Sequence, residues 1–218
     1  MREFKFIGCR RSGNHAIIEW ALNHFSSATL ENDVPKSWDG RSRKSQSIIF
    51  KNDARDPLDE ASAISWEDQD IIVPDQIIIL RSAYNVAASR IASPKHTRIG
   101  SRKIERFLRI WPNHARHLLM RPLDNIVYDD WLGDNGYQAA GILDLPEPHL
   151  PLPDWKPKRG KQTTFTTENN KDRLTRFKTI FENVDPCLFE SVLENDEIRE
   201  LNWRIFGWTL NRSGELLS

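Results

Sequence analysis

Cysteine is nearly absent from this 218-residue chain, which holds only Cys9 and Cys187. Two cysteines in unrelated contexts exclude a disulfide framework and a cysteine-rich zinc site, and they point to a reducing compartment. Long hydrophobic runs are also missing. No stretch approaches the roughly eighteen apolar residues that span a bilayer, and no signal-peptide core precedes the first apolar pattern. A cytoplasmic protein is therefore expected. Nor is there an excess of charge: 31 Lys and Arg balance 31 Asp and Glu, so no global field recruits nucleic acid. Internal repeats and low-complexity segments are lacking as well, and residues 1–218 read most simply as one domain.

What is present begins with a local imbalance of charge. From Asp53 to Asp75 eight acids stand against one base, Arg55, and from Lys95 to Arg121 eight bases stand against one acid, Glu105. Arg98, Arg102, Arg106 and Arg109 have near-helical spacing and form one basic stripe if that stretch is a helix. Either patch can equally be a solvated face.

Short apolar runs alternate with amphipathic ones. Phe4 to Gly8 reads as a strand, and Ala16 to Phe25 as a helix with Ile17, Ile18, Ala21, Leu22 and Phe25 inward. Ser47 to Lys51 and Asp75 to Arg81 have the continuous apolar character of buried parallel strands. A helix is expected after Arg81, and another over Arg102 to Leu119, which Pro112 either kinks or divides. Asn125 to Tyr128 reads as a strand and Tyr137 to Leu143 as a short helix. The five prolines between Pro146 and Pro157 mark a connector, and Lys171 to Trp208 is helical with a start signal at Asp185-Pro186. Strands alternating with helices predict a doubly wound, mainly parallel α/β sheet with a helical C-terminal segment. Ligands in such a sheet sit at the carboxyl ends of the strands.

Three strand ends carry chemistry. The first is "GCRRSGNH", residues 8–15, with Gly8 and Gly13 five apart as in a nucleotide-binding loop, but with Asn14-His15 where a lysine and a hydroxyl residue would follow. Arg10 and Arg11, with the amides of a helix N-terminus, suit an anion. The second is "RSAYNVAAS", where Arg81 ends a strand and Ser89 lies in the next helix; an arginine holds a phosphate bidentately and a serine adds a donor. The third is "KND", where Lys51 and Asp53 stand at a strand end; a carboxylate beside a lysine is either a general base or a surface ion pair. His15 is the rival base, and at a helix N-terminus it is kept neutral. His114 and His117 stand three apart on a helix without a cysteine or carboxylate at metal spacing, so no metal site is expected.

These motifs, in this order over most of the chain, resemble the P-loop-type sulfotransferases that use 3′-phosphoadenosine 5′-phosphosulfate (PAPS). "CRRSGNH" is similar to the family's 5′-phosphosulfate loop, with Arg11 at the basic position and Ser12-Gly13 matching. "RSAYNVAAS" is similar to its 3′-phosphate motif, an arginine and a serine eight positions apart. "KND" resembles its Lys-Thr-His element with Asp53 in the histidine position, "IVYDDW" its Tyr-Glu-Asp segment, and "KRGKQTTFT" a shortened form of the distal loop that closes on the nucleotide. The resemblance implies that Arg10, Arg11, Ser12, Gly13, Asn14 and His15 hold the phosphosulfate. It implies that Arg81 and Ser89 hold the 3′-phosphate and that Arg159 and Gly160 close over it. Lys51 would reach the sulfuryl oxygens, and Asp53 or His15 would take the acceptor's proton. The acceptor implied is a hydroxyl or amine, on a small molecule or a saccharide.

The opening loop fits that chemistry. Sulfuryl transfer passes through a loose in-line transition state dominated by positioning and electrostatics. The transferred SO₃ is formally neutral, whereas metaphosphate is charged, so arginines and amides suffice without magnesium or the lysine that accompanies it. Two other readings compete. A P-loop kinase or nucleoside triphosphatase shares the glycine spacing but calls for Lys-Ser/Thr after Gly13. A non-catalytic module holding an anionic polymer on the basic stripe is favoured by the aspartate in the histidine position.

Overall fold

The computed structural model describes residues 1–32, 46–51, 59–91, 100–147, 149–152, 177–178 and 186–218. The chain opens with β1 (Arg2–Gly8), in which Phe4 and Phe6 point to one face of the sheet and Ile7 to the other, as the two-residue strand period requires. After five loop residues comes α1 (Asn14–Leu22), followed by β2 (Ser27–Asn32), β3 (Gln46–Lys51), β4 (Glu60–Glu67) and β5 (Ile77–Leu80). Next come α2 (Ala83–Ile91), α3 (Gly100–Met120), a single 3₁₀ turn, β6 (Ile126–Val127), α4 (Tyr128–Gly133) and α5 (Tyr137–Ile142). The C-terminal part contributes α6 (Pro186–Leu193), α7 (Asp196–Phe206) and a small ribbon of β7 (Thr209–Leu210) and β8 (Leu216–Leu217).

The main sheet has the order β3-β2-β4-β1-β5-β6. Five strands are parallel and β3 alone runs antiparallel, at one edge. Helices cover both faces. Phe4, Phe6 and Ile79 pack with Ile17, Leu22 and Trp131 of α1 and α4. On the other face Ile78 and Leu80 pack with Tyr84 of α2, Trp111 of α3 and Ile198 of α7. Each such fully buried large side chain contributes about 1.5–3 kcal/mol of transfer free energy. Helix α7 is closed at both ends by its own residues. Asn195 accepts a hydrogen bond from the Ile198 amide at 2.9 Å, and Gly207, at φ 70°, ends it in the left-handed conformation.

Three expectations change. The apolar run Ser47–Lys51 is not a buried parallel strand: β3 is the antiparallel edge, and its Ile49 is 66% exposed. Pro112 lies inside one continuous helix and does not divide it. Two parallel strands went unread. β4 buries small residues, Ala61, Ala63 and Ser65, in place of the branched ones that mark a strand in sequence, and β2 buries only Ala28 beside Leu30 among its described residues. Among the described residues no helix is long and apolar enough to cross a membrane.

Candidate functional site

Connections leave β1 and β5 in opposite directions: α1 leads toward β2, whereas α2 and α3 lead toward β6. The switch point of the sheet therefore lies between these two neighbours. Gly8 pairs with Ile79 across it, so the loop after β1 and Arg81 after β5 emerge side by side. On its other flank Gly8 pairs with Glu67, which brings the acidic end of β4 to the same place.

The loop is built by its two glycines. A Cβ at Gly8 would overlap the side-chain amide of Asn14 and lie 2.8 Å from the Ile79 carbonyl oxygen. Gly13 has φ 91°, and a Cβ there would overlap the Tyr128 ring. Arg11 is also left-handed, at φ 78°, a conformation that costs a non-glycine residue about 1–2 kcal/mol. Strained backbone of this kind concentrates at binding sites. At the start of α1 the Ala16 and Ile17 amides both donate to the Gly13 carbonyl, at 3.0 and 3.3 Å, and the N-terminal end of the helix dipole points into the loop. The positive-φ residues at 11 and 13 bend the loop over that helix end, a backbone form that suits an anion.

Side chains divide the roles more finely than the motif suggested. Ser12 is fully buried, its hydroxyl within hydrogen-bond reach of the Cys9 carbonyl and, at 2.9 Å, of Asn14 Oδ1. Asn14 is 3% exposed. Both side chains brace the loop from below, and the Ser12 amide donates to the Cys9 carbonyl at 3.0 Å, so Ser12 shapes the loop and does not face an anion. Arg11 and His15 are exposed at its mouth. Arg10 is turned sideways: Nε donates to Glu67 Oε2 at 2.9 Å, and its amide donates to Asp68 Oδ1 at 2.9 Å. His15 Nε2 lies 3.8 Å from Glu67 Oε1, an ion-pair separation longer than a hydrogen bond. Cys9, beside the loop, is buried.

Arg81 is 6% exposed, with its guanidinium carbon 5.0 Å from the centre of the Tyr128 ring and its carbonyl accepting from Trp111 Nε1 at 2.9 Å. Next to Tyr128, burial pushes the Asp129 carboxyl up to about 7; the Arg81 charge opposes that rise and Asp130 adds to it. Ser89 is half-buried in α2. Its neighbour Arg90, 5% exposed, crosses to the loop. Arg90 Nε donates to the Arg10 carbonyl at 3.1 Å, and Nη2 pairs with Asp68.

Lys51 does not join this group. It pairs with Ser27, which also pairs with Glu60, the first residue of β4, whereas Gly8 pairs with Glu67, the last. Seven strand steps separate the two levels, about 23 Å, beyond the reach of a lysine. The cause is the antiparallel run of β3, whose carboxyl end falls at the opposite end of the sheet. Asp53, Arg159 and Gly160 lie outside the described residues.

The two charge patches meet. Arg106 donates to the Asp68 carbonyl at 2.7 Å, Arg109 pairs with Asp70 at 3.0 Å, and Asn113 donates to the Asp70 carbonyl at 2.7 Å. His114 Nε2 hydrogen-bonds the Gln69 carbonyl at 2.8 Å, and its burial holds the imidazole down to about 4. The basic face of α3 thus holds the acidic loop after β4. Glu67, Asp68 and Arg90 were not singled out from sequence, whereas Tyr128 and Asp129 belong to the "IVYDDW" segment read there only as a resemblance, without a role. The alternation from Ala61 to Glu67, ending in a charged "EDQD", was the signal for the first two. No protein-family model, curated protein or solved structure matches the chain.

Proposed function

We propose that the protein is a cytoplasmic sulfotransferase that moves a sulfuryl group from PAPS to a hydroxyl or amine acceptor. One observation carries the reading. An arginine-bearing anion loop without the Lys-Ser/Thr pair stands beside a second strand-end arginine at the sheet's switch point. Two arginine-containing seats on adjacent strands suit a ligand with two anionic groups, and the loop has the form expected where no triphosphate is held. The two glycines let the loop pack against Asn14 and Tyr128, because a Cβ at Gly8 would meet the Asn14 amide and one at Gly13 the Tyr128 ring, and this close packing supports a loop held in one anion-facing path.

In this reading Arg11 and the amides of residues 13–15 hold the 5′-phosphosulfate and stabilise charge on the leaving oxygen, while the Ser12 amide is engaged by the Cys9 carbonyl. Arg81 and Ser89 hold the 3′-phosphate. PAPS supplies a formally neutral sulfuryl group for in-line transfer. His15 takes the acceptor's proton at Nδ1, which leaves the imidazolium facing Glu67 through Nε2. Asp53, expected from sequence as the base with His15 its rival, lies outside the described residues and becomes the alternative. Lys51 drops out of the mechanism.

A second reading has one observation in its favour. Glu67-Asp68 at the end of β4, beside the loop, occupies a place where a magnesium-dependent phosphotransferase would put a metal-binding carboxylate. Against it, both carboxylates already face arginines, and the loop has no lysine. The anionic-polymer reading loses support because Arg106 and Arg109 face the acidic loop.

Thermal unfolding with adenosine 3′,5′-bisphosphate, magnesium-ATP and adenosine 5′-phosphate decides among these. At a hundred times its dissociation constant a ligand selective for the folded state adds about 2.7 kcal/mol, or roughly 5–10 °C for a chain of this size. A rise with the bisphosphate that is lost in Arg81→Ala supports the proposal. A rise with magnesium-ATP alone overturns it in favour of the phosphotransferase.

A further inference from the structure

The side chain that joins the two halves of the site belongs to neither motif. Arg90 is the last cationic residue of α2, one position beyond Ser89, and it is almost wholly buried. It makes two contacts with the loop region. Nε donates to the Arg10 carbonyl at 3.1 Å, and Nη2 pairs with Asp68 Oδ1. That same carboxylate oxygen accepts from the Arg10 amide at 2.9 Å. The peptide groups on both sides of Arg10 are therefore tied to one buried ion pair, immediately before the strained Arg11. Arg90 is itself fixed: its guanidinium carbon lies 5.3 Å from the centre of the Phe107 ring, and α3 holds the far side of Asp68 through the bond from Arg106 to its carbonyl.

The consequence is mechanical. Helix α2 begins next to Arg81 and ends on the anion loop, so one short rigid element touches both proposed phosphate seats. Placing Arg90 here buries a charge, which is tolerable only with its partners well oriented. That orientation also sets the path of the loop backbone. We propose that Arg90 is the positioning residue of the anion loop, coupling the seat at Arg11 to helix α2 through Asp68 and the Arg10 peptide. The inference rests on the sulfotransferase reading for the identity of the two phosphates, but the coupling itself is a property of the loop.

The test compares wild type with Arg90→Gln, Arg90→Lys and Asp68→Asn in two measurements. The first is amide hydrogen exchange of residues 9–13 without ligand. Arg90→Gln and Asp68→Asn are expected to speed exchange there, with β1 and β5 unchanged, and Arg90→Lys, which keeps a cation for Asp68, is expected to restore part of the protection. Unchanged exchange in Arg90→Gln overturns the proposal, whatever the protein binds. The second is the affinity for adenosine 5′-phosphate, adenosine 3′-phosphate and the 3′,5′-bisphosphate, with inorganic sulfate as the minimal probe of the loop. Arg90→Gln is expected to weaken the 5′-phosphate, the bisphosphate and sulfate about tenfold, within the usual range of a coupling between sites, and to leave the 3′-phosphate nearly unchanged. An equal loss for every ligand overturns the proposal, because a residue that merely supports the fold makes no distinction between the seats. If wild type binds sulfate but none of the adenosine phosphates, the sulfotransferase reading fails while the exchange and sulfate results still decide the role of Arg90.

Discussion

Replacing Gly13 with alanine separates two costs that usually arrive together. The residue sits at φ 91°, and a Cβ on it would overlap the edge of the Tyr128 ring and come within 3.1 Å of Cζ. Gly207 is the internal reference. Its φ of 70° is equally left-handed, but a Cβ there meets nothing within 4 Å. Gly207→Ala therefore isolates backbone strain, about 1–2 kcal/mol. Gly13→Ala adds overpacking against a ring that cannot withdraw: Tyr128 is 1% exposed, lies 5.5 Å from Trp131 with the rings tilted by 43°, and carries the Arg81 guanidinium on its face. Overpacking of this kind costs about 1–3 kcal/mol, so the total is roughly 2–5 kcal/mol. At about 2–4 °C per kcal/mol for this chain length, thermal unfolding is expected to fall by about 2–8 °C for Gly207→Ala and about 4–20 °C for Gly13→Ala. A double-mutant cycle completes the assay. In a Tyr128→Leu background the steric part vanishes, and Gly13→Ala is expected to cost no more than Gly207→Ala does. If Gly13→Ala is no worse than Gly207→Ala in the native background, the ring does not press on the loop and the account of its glycines is wrong.

Other outcomes follow from the same geometry. Asp129, raised to about 7 by burial, binds a proton in the folded state between its ordinary 3.8 and 7, so its contribution to stability is greatest at low pH and is lost as pH rises toward 7, by about 4 kcal/mol in all. His114, held down to about 4, has the opposite sign: its contribution is lost as pH falls from 6.5 toward 4. The two offset each other across that window, so Asp129→Asn is expected to stabilise the protein at pH 8 and to expose the acid-side loss from His114, measured by urea unfolding from pH 4 to 8. Arg11→Gly relieves the left-handed strain and is expected to raise stability by about 1 kcal/mol while weakening adenosine 3′,5′-bisphosphate at least tenfold, because a charge-assisted hydrogen bond is lost; a variant that binds as well as wild type removes Arg11 from the seat. Lys51→Ala, at the far end of the sheet, is expected to leave bisphosphate affinity within about twofold, the range of a surface change, and a larger loss by calorimetry would contradict the register of β3.

The opening strand, its loop and α1 were legible because they follow local rules: alternation in Phe4 to Ile7, glycines at a turn, then Ile17, Ile18, Ala21 and Leu22 on one helical face. Arg81 was legible as the end of a continuous apolar strand. What the sequence hid was the middle of the sheet. β4 packs under α1 through Ala61 and Ala63, and such small side chains carry little strand signal although they are buried as deeply as any isoleucine. The run Ile48-Ile49-Phe50 has a strong strand signal but belongs to an edge, where direction and register are set by pairing with β2. Strand direction is a non-local property. An error in it carried Lys51 to the wrong end of the molecule and left Glu67 unnoticed at the right one.

That exchange alters the electrostatics of the site. With Lys51 gone, the positive charge among the described residues at the carboxyl end of the sheet comes from arginines, three of which have a carboxylate nearby: Arg10 beside Glu67, Arg90 on Asp68, Arg81 within the influence of Asp129. Arg90 and Arg81 are buried and shape the site from behind, whereas Arg10 is about half exposed and Arg11 stands at the mouth. In the proposed reading an arriving anion meets a backbone already bent at Arg11 and Gly13. Preorganised amides and dipoles of this kind cost no reorganisation when charge develops, and here their order is maintained by ion pairs in the shell behind them. If the proposed function holds, selectivity depends on the spacing between the Arg11 and Arg81 seats, a property that a single phosphate cannot exploit and that a ligand with two anionic groups can.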